Sequence, residues 1–272
     1  MASPIPPERS DPESNGQDGG RMSFFDHLNE LRKRIIYSAM AVAAGAVVGL
    51  SVSKSVMGVI AKPMLDALRA VHMEERLIYT SPTGAINIII KLGLYIGFVV
   101  ASPVVLYQVW LFIAPGLYKH ERKAATLFLV SSLSLFLTGI AFCYFILLPY
   151  TLRFLIGFNV PYFTPLISIN EYWDLVLILM LGMGLVFQTP ILIFFLALFG
   201  LVTPGFLWKN FRYAVLIISV VAAIVTPTPD ALTMLVFMAP MVGLYLLGIA
   251  VAAVVVYRKR RRNESVARQG AA

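Results

Sequence analysis

"YQVWLFIAPGLYKHERKA", residues 107–124, leaves one apolar run, turns at Pro115-Gly116, collects charge, and enters another apolar run. The two runs, about 92–114 and 124–148, each reach the roughly 20 residues a helix needs to cross the hydrocarbon core of a bilayer. Lys119, Arg122 and Lys123 lie in the junction, and basic residues hold such a junction on the cytoplasmic side. The stretch therefore reads as two membrane-spanning helices joined by a short basic loop.

Working outward, four more stretches fit the same pattern: about 35–53, 172–200, 212–226 and 231–257. The fifth span is short, with 14 residues between Arg212 and Pro227, and the sixth carries Pro240. A short span crosses only where the bilayer thins or its ends are buried in protein. Composition agrees: the chain is 59% apolar and 13% charged, against about 45–50% and 25% in soluble domains. Its single cysteine, Cys143, excludes an internal disulfide and a metal site built on cysteines. Residues 1–22, rich in Pro, Gly, Ser and acids, read as a disordered cytoplasmic tail. They lack the layout of a signal peptide. The membrane domain is 23–257, and 258–272 form a basic cytoplasmic tail.

Basic residues set the orientation. Of the 22 Lys and Arg residues, 16 fall with the termini, the 2–3 loop and the 4–5 loop, and 6 fall on the opposite side. The positive-inside rule then places both termini in the cytoplasm. The net charge of +8 is thus a topology signal, and no nucleic-acid partner is expected. The outer connections, 54–91 and 149–171, are longer, with 61–71 an amphipathic segment placed at the interface. Trp110, Trp173 and Trp208 read as interfacial belt residues.

No catalytic pattern is present: no G-x-x-x-x-G-K-[ST], no H-E-x-x-H, no G-x-S-x-G. Work done by this chain must draw on the membrane potential or on a partner, and no cofactor is expected. The informative polar residues are acids among bases. In "FFDHLNELRKRII" (24–36), Phe24, Leu28, Leu31 and Ile35 form one apolar helical face, and Glu30 lies on this lead-in to span one. Glu121 stands on the same cytoplasmic face, between His120 and Arg122. Two readings are open. Each acid could pair with basic neighbours, as Glu30 with Arg34 at i,i+4, worth about 0.2–0.5 kcal/mol. Alternatively, each could take an incoming guanidinium through paired hydrogen bonds.

"HLNELRKRI" (27–35) before a span, then "LYQVWLFIAPGLYKHERK" (106–123), "KPML" (62–65), "FQTP" (187–190) and "TPTPD" (226–230), resembles the TatC family, core subunits of the twin-arginine protein translocase. The resemblance covers about 23–257. It implies an all-α bundle of six transmembrane helices in a concave, cup-like arrangement in a bacterial plasma membrane. It also implies a receptor for twin-arginine signal peptides that moves folded proteins with small single-span TatA- and TatB-like partners, driven by the proton-motive force. Self-association is compatible with it. Glu30 and Glu121 match the family acids that meet the arginine pair. Phe112 matches the loop shaping that surface, and Arg32 a position that orients Glu30.

Gln188, Thr226 and Asp230 form a second set. Gln188 sits at mid-span before Thr189 and Pro190, where polar side chains usually face a bundle interior or cavity. Many family members have Glu there, so Gln removes proton transfer and leaves a hydrogen-bonding spot for a partner helix. The alternative is an interhelical contact worth about 0.6 kcal/mol. Asp230 suits the N-cap of span six, and with Thr226 it bounds the "TPTPD" turn. Gly45 and Gly49 form a G-x-x-x-G on span one. The competing classes are a small-solute secondary transporter or channel, and an assembly scaffold. A transporter would want several mid-span polar groups and related halves, and the chain has essentially one such group.

Overall fold

The computed structural model describes residues 24–73, 77–78, 80–113, 122–157, 167–226 and 230–269, and all regular structure among them is helical. The helices are α1 (Phe24–Ala70), α2 (Gly84–Ile113), α3 (Arg122–Phe142), α4 (Leu148–Gly157), α5 (Ile169–Val186), α6 (Thr189–Leu198), α7 (Pro204–Lys209), α8 (Phe211–Val225) and α9 (Ala231–Gln269). A π-helical segment, Cys143–Leu147, joins α3 to α4 without a break. Among the described residues, five helical stretches are long and apolar enough to cross a membrane: Leu28–Ala70, Gly84–Phe112, Phe128–Gly157, Ile169–Leu198 and Ala231–Arg258. The 15 residues of α8 rise only about 22 Å. The N-terminal tail, the 114–121 turn and most of "TPTPD" lie outside the described residues.

Helix α1 departs from expectation. Its 47 residues run through the stretch read as the start of an outer connection, and 61–71 is not a separate interfacial segment. Pro63 does not end it. A proline withdraws the hydrogen bond to the carbonyl four residues earlier, here Val59, and the Tyr144 hydroxyl donates to that carbonyl at 2.7 Å. Ile60, Met64, Ala67 and Leu68, on one helical face, are buried, so tertiary packing holds the last turns. The helix then ends at His72, whose left-handed φ of 58° aims its N–H at the Arg69 carbonyl and that of Met73 at the Leu68 carbonyl.

The same repair recurs at two more prolines. Pro103 in α2 frees the Val99 carbonyl, and the Ser102 hydroxyl donates to it at 2.7 Å. Pro190 frees the Val186 carbonyl, and the Thr189 hydroxyl donates to it at 2.7 Å. With no water in a bilayer core, such donors keep a proline-bearing helix viable.

The main core gathers the C-terminal half of α1, the N-terminal half of α2, the π segment, α4, α5 and the first turns of α9. Trp173, with no exposed surface, is at its centre beside Tyr172. This corrects its reading as a belt residue: the face of α5 that carries it is covered by neighbouring helices. Trp208, 65% exposed, fits the belt. The Tyr172 hydroxyl donates to the Ile60 carbonyl at 2.5 Å, and Ile78 and Ser168 pair as an isolated parallel bridge, tying the connections at this end together. A smaller cluster of Ile193, Ala197, Leu207 and Ala252 joins α6, α7 and α9.

Helices α1 and α2 share the most extensive interface. Its centre is a seam of four glycines. A Cβ at Gly49 would lie 2.1 Å from the Gly93 carbonyl oxygen, and one at Gly45 2.4 Å from that of Gly97. The G-x-x-x-G of span one thus meets Gly93 and Gly97, a second G-x-x-x-G on α2. Small residues let helix backbones approach where no hydrophobic force drives association.

Candidate functional site

The seam sets the geometry at the N-terminal end of α1. It holds α1 and α2 so close that residues about three turns beyond it still meet across the gap. On α1, Glu30 and Arg34 are one turn apart and form an ion pair, with side chains 26% and 22% exposed. Across the gap, Arg34 Nη1 donates to Gln108 Oε1 of α2 at 3.1 Å. Phe112, half-buried, follows Gln108 by one further turn of α2. The structure therefore brings together Glu30, Arg34, Gln108 and the turn bearing Phe112. Glu121 lies outside the described residues.

The basic residue paired with Glu30 is Arg34, not Arg32. The Arg32 side chain is exposed, and residues two apart on a helix do not face each other. Arg34 belongs to the bland reading weighed for Glu30. Gln108 was missed, although it stands within the most distinctive motif, because nothing local shows a lone glutamine facing a neighbouring helix. A carboxylate accepts about four hydrogen bonds, and among the described residues only Arg34 donates a side-chain bond to Glu30. The arrangement is a partly exposed carboxylate near a helix end that holds one guanidinium.

The second set is dispersed. Gln188 stands where α5 breaks into α6, with its backbone carbonyl accepting from Ile191 and Leu192 at 3.0 Å each. Its amide is paired twice with α3: Ser132 Oγ donates to Gln188 Oε1 at 2.6 Å, and Gln188 Nε2 donates to the Ser132 carbonyl at 3.1 Å. This is the interhelical contact that was the plainer reading. Asp230 caps α9, its Oδ1 accepting from the Thr233 N–H at 2.7 Å. Thr226, buried at the C-cap of α8, donates back to the Ala222 carbonyl at 2.9 Å. A further pair escaped sequence reading: Lys91 Nζ of α2 donates to Asp174 Oδ1 of α5 at 2.5 Å. No group of acids, histidines and cysteine among the described residues could hold a metal ion.

Apolar helices long enough to cross a bilayer, one pair ending in a polar cluster, define an integral membrane protein. Comparison with known proteins sharpens that class. Residues 26–240 match the family described as Sec-independent protein translocase protein (TatC). The TatC protein of Koribacter versatilis (strain Ellin345) is 47% identical over 251 residues, 92% of each chain. That of Aquifex aeolicus (strain VF5) is 36% identical over 241 residues, 88% of this chain and 98% of the relative. A crystal structure of the twin-arginine translocase receptor TatC superposes with a TM-score of 0.74 at 37% identity, covering 85% of this chain and 99% of that one. The chain belongs to the TatC family and is a protein-transport component of the Sec-independent translocase.

Proposed function

We propose that this chain is the receptor subunit of its translocase. It binds twin-arginine signal peptides through Glu30 and Glu121, with Phe112 and Arg32 beside them. It passes folded proteins across the bacterial plasma membrane with TatA- and TatB-like single-span subunits, driven by the proton-motive force. It crosses the bilayer six times in a cup-like bundle, α8 being the short fifth crossing, with both termini cytoplasmic. Gln188, Thr226 and Asp230 lie on the side that receives partner helices.

The observation that carries this reading is the guanidinium already held by Glu30 at the end of α1. A carboxylate set among bases there would bind an arginine of the substrate by the same hydrogen bonds. A planar guanidinium fork matches a carboxylate better than an ammonium does. Arg-Arg peptides are therefore expected to bind better than Lys-Lys peptides. The small-solute transporter is not favoured, because the one mid-span amide is already engaged by Ser132.

The test is peptide binding to the purified protein. Glu30→Lys and Glu121→Lys are each expected to abolish binding of an Arg-Arg signal peptide, with Glu121→Gln milder. Undiminished binding by the double Lys variant would overturn the reading. Topology is tested separately: reporters fused after Ala272 and within 155–168 should report opposite sides of the membrane.

A further inference from the structure

The end of the molecule far from Glu30 carries a cavity of about 340 Å³ between α1 and the junction of the π segment with α4. Lys62, Asp66, Tyr144, Phe145, Pro149 and Arg153 line it. Its shape follows from two irregularities. The π segment, Cys143–Leu147, is a wider turn than an α-helix makes, and Pro149 follows at once. Facing them, α1 carries Pro63, whose freed carbonyl partner at Val59 is taken by Tyr144. Single-turn π segments inside longer helices are frequent at functional sites.

Charge in the cavity is unbalanced. Asp66 is turned toward Arg69, 3.7 Å away. Lys62 and Arg153, both exposed, have no ion-pair partner among the described residues. Two cations from two helices thus face one space flanked by Tyr144 and Phe145, of which Phe145 is 71% exposed.

The level of this cavity in the bilayer can be counted along the helices. Lys62 lies 28 residues beyond Arg34 on α1, a rise of about 42 Å. Arg153 lies 30 residues beyond Lys123, a rise of about 45 Å. A bilayer with its headgroups is about 40–45 Å thick. Both cations therefore stand in the headgroup plane opposite the basic cytoplasmic ends. The phosphates in reach at that plane are those of phospholipids.

We propose that this cavity binds the phosphate of an outer-leaflet anionic phospholipid, with Lys62 and Arg153 as donors and Phe145 against the acyl chains. The depth of the cavity and the word "outer" rest on the topology proposed above. The chemistry is that of a phosphodiester, which a free phosphate shares. The position at headgroup level favours the lipid.

Native mass spectrometry of the purified full chain in detergent, titrated with phosphatidylglycerol, tests this. One interfacial cation is worth about 1 kcal/mol, or about fivefold. Lys62→Gln and Arg153→Gln should each weaken retention about fivefold, and the pair about 25-fold. The charge-keeping pair Lys62→Arg, Arg153→Lys should retain the lipid, and Lys54→Gln, on the same helix outside the cavity, should change nothing. Unaltered retention by the neutral pair overturns the proposal. So does displacement of the lipid by inorganic phosphate at matched concentration, which would mark a soluble-anion site. Should the neutral pair fail to fold, the single variants and the charge-keeping pair decide, and loss of lipid by the latter is equally fatal. Arg-Arg peptide binding, read on the same variants, should be unchanged, which separates this site from the receptor surface.

Discussion

The two ends of the α1–α2 pair are built differently. At the Ile78–Ser168 end, aromatic and aliphatic side chains from α1, α2, α4, α5 and α9 close a core around Trp173. At the Glu30 end, α1 exposes Ile35, Ile36 and Met40, and a side-chain hydrogen bond from Arg34 to Gln108 ties it to α2. One end holds the fold and the other holds a partly satisfied charge. A surface that accepts a segment of another protein, as proposed for the Glu30 end, cannot also be a closed core. Packing concentrated at the far end leaves the near end less constrained.

Substitutions that rank the two ends test this contrast. Trp173→Ala should cost most, about 3–5 kcal/mol, as for large aromatic truncations in cores, read as a drop in melting temperature. A loss below 1 kcal/mol would show that the far end is not the stabilising one. Gly49→Val drives a side chain into the Gly93 carbonyl and should cost about 1–3 kcal/mol, the range for overpacking. A cysteine crosslink between α1 and α2 should weaken with it, and an unchanged crosslink would mean the seam yields. Gln188→Leu should leave the protein folded and inserted, costing about 0.6–1.7 kcal/mol, the range for interhelical polar contacts. Partner-helix crosslinking nearby should fall by more than that stability loss explains. Glu30→Lys should have the smallest effect on melting, about 0.5–1 kcal/mol for an i,i+4 pair lost and two like charges opposed, while removing Arg-Arg peptide binding. If it melted the protein as Trp173→Ala does, the division between the ends would fail.

Much of this architecture is legible in the sequence because a bilayer simplifies the code. Twenty apolar residues announce a crossing whatever their order, so spans two, three, four and six were in view. Asp230 was legible as a cap because capping is a local bond within one turn. The extent of α1 was not, since Pro63 and the charges of 54–70 read as a boundary. What overrides them is a hydroxyl 81 residues away, Tyr144, and a buried face set by other helices. Trp173 was misplaced for the same reason: a tryptophan at a span end is a belt residue or a core residue depending on what surrounds the helix. The site was half legible. Glu30 is an anomaly of charge visible in one dimension, whereas Gln108 matters only through its distance to Arg34.

The three proline repairs differ in what they demand of the rest of the chain. Ser102-Pro103 and Thr189-Pro190 carry the replacement donor in the residue just before the proline. Each is a two-residue cassette that could be moved to another apolar helix and still leave no carbonyl orphaned. Pro63 depends on Tyr144, a residue encoded far away. The first two bends are free to drift along a lineage one dipeptide at a time. The third is one-sided: replacing Pro63 alone restores a backbone N–H for Val59, whereas Tyr144 can be lost without orphaning that carbonyl only once Pro63 has gone.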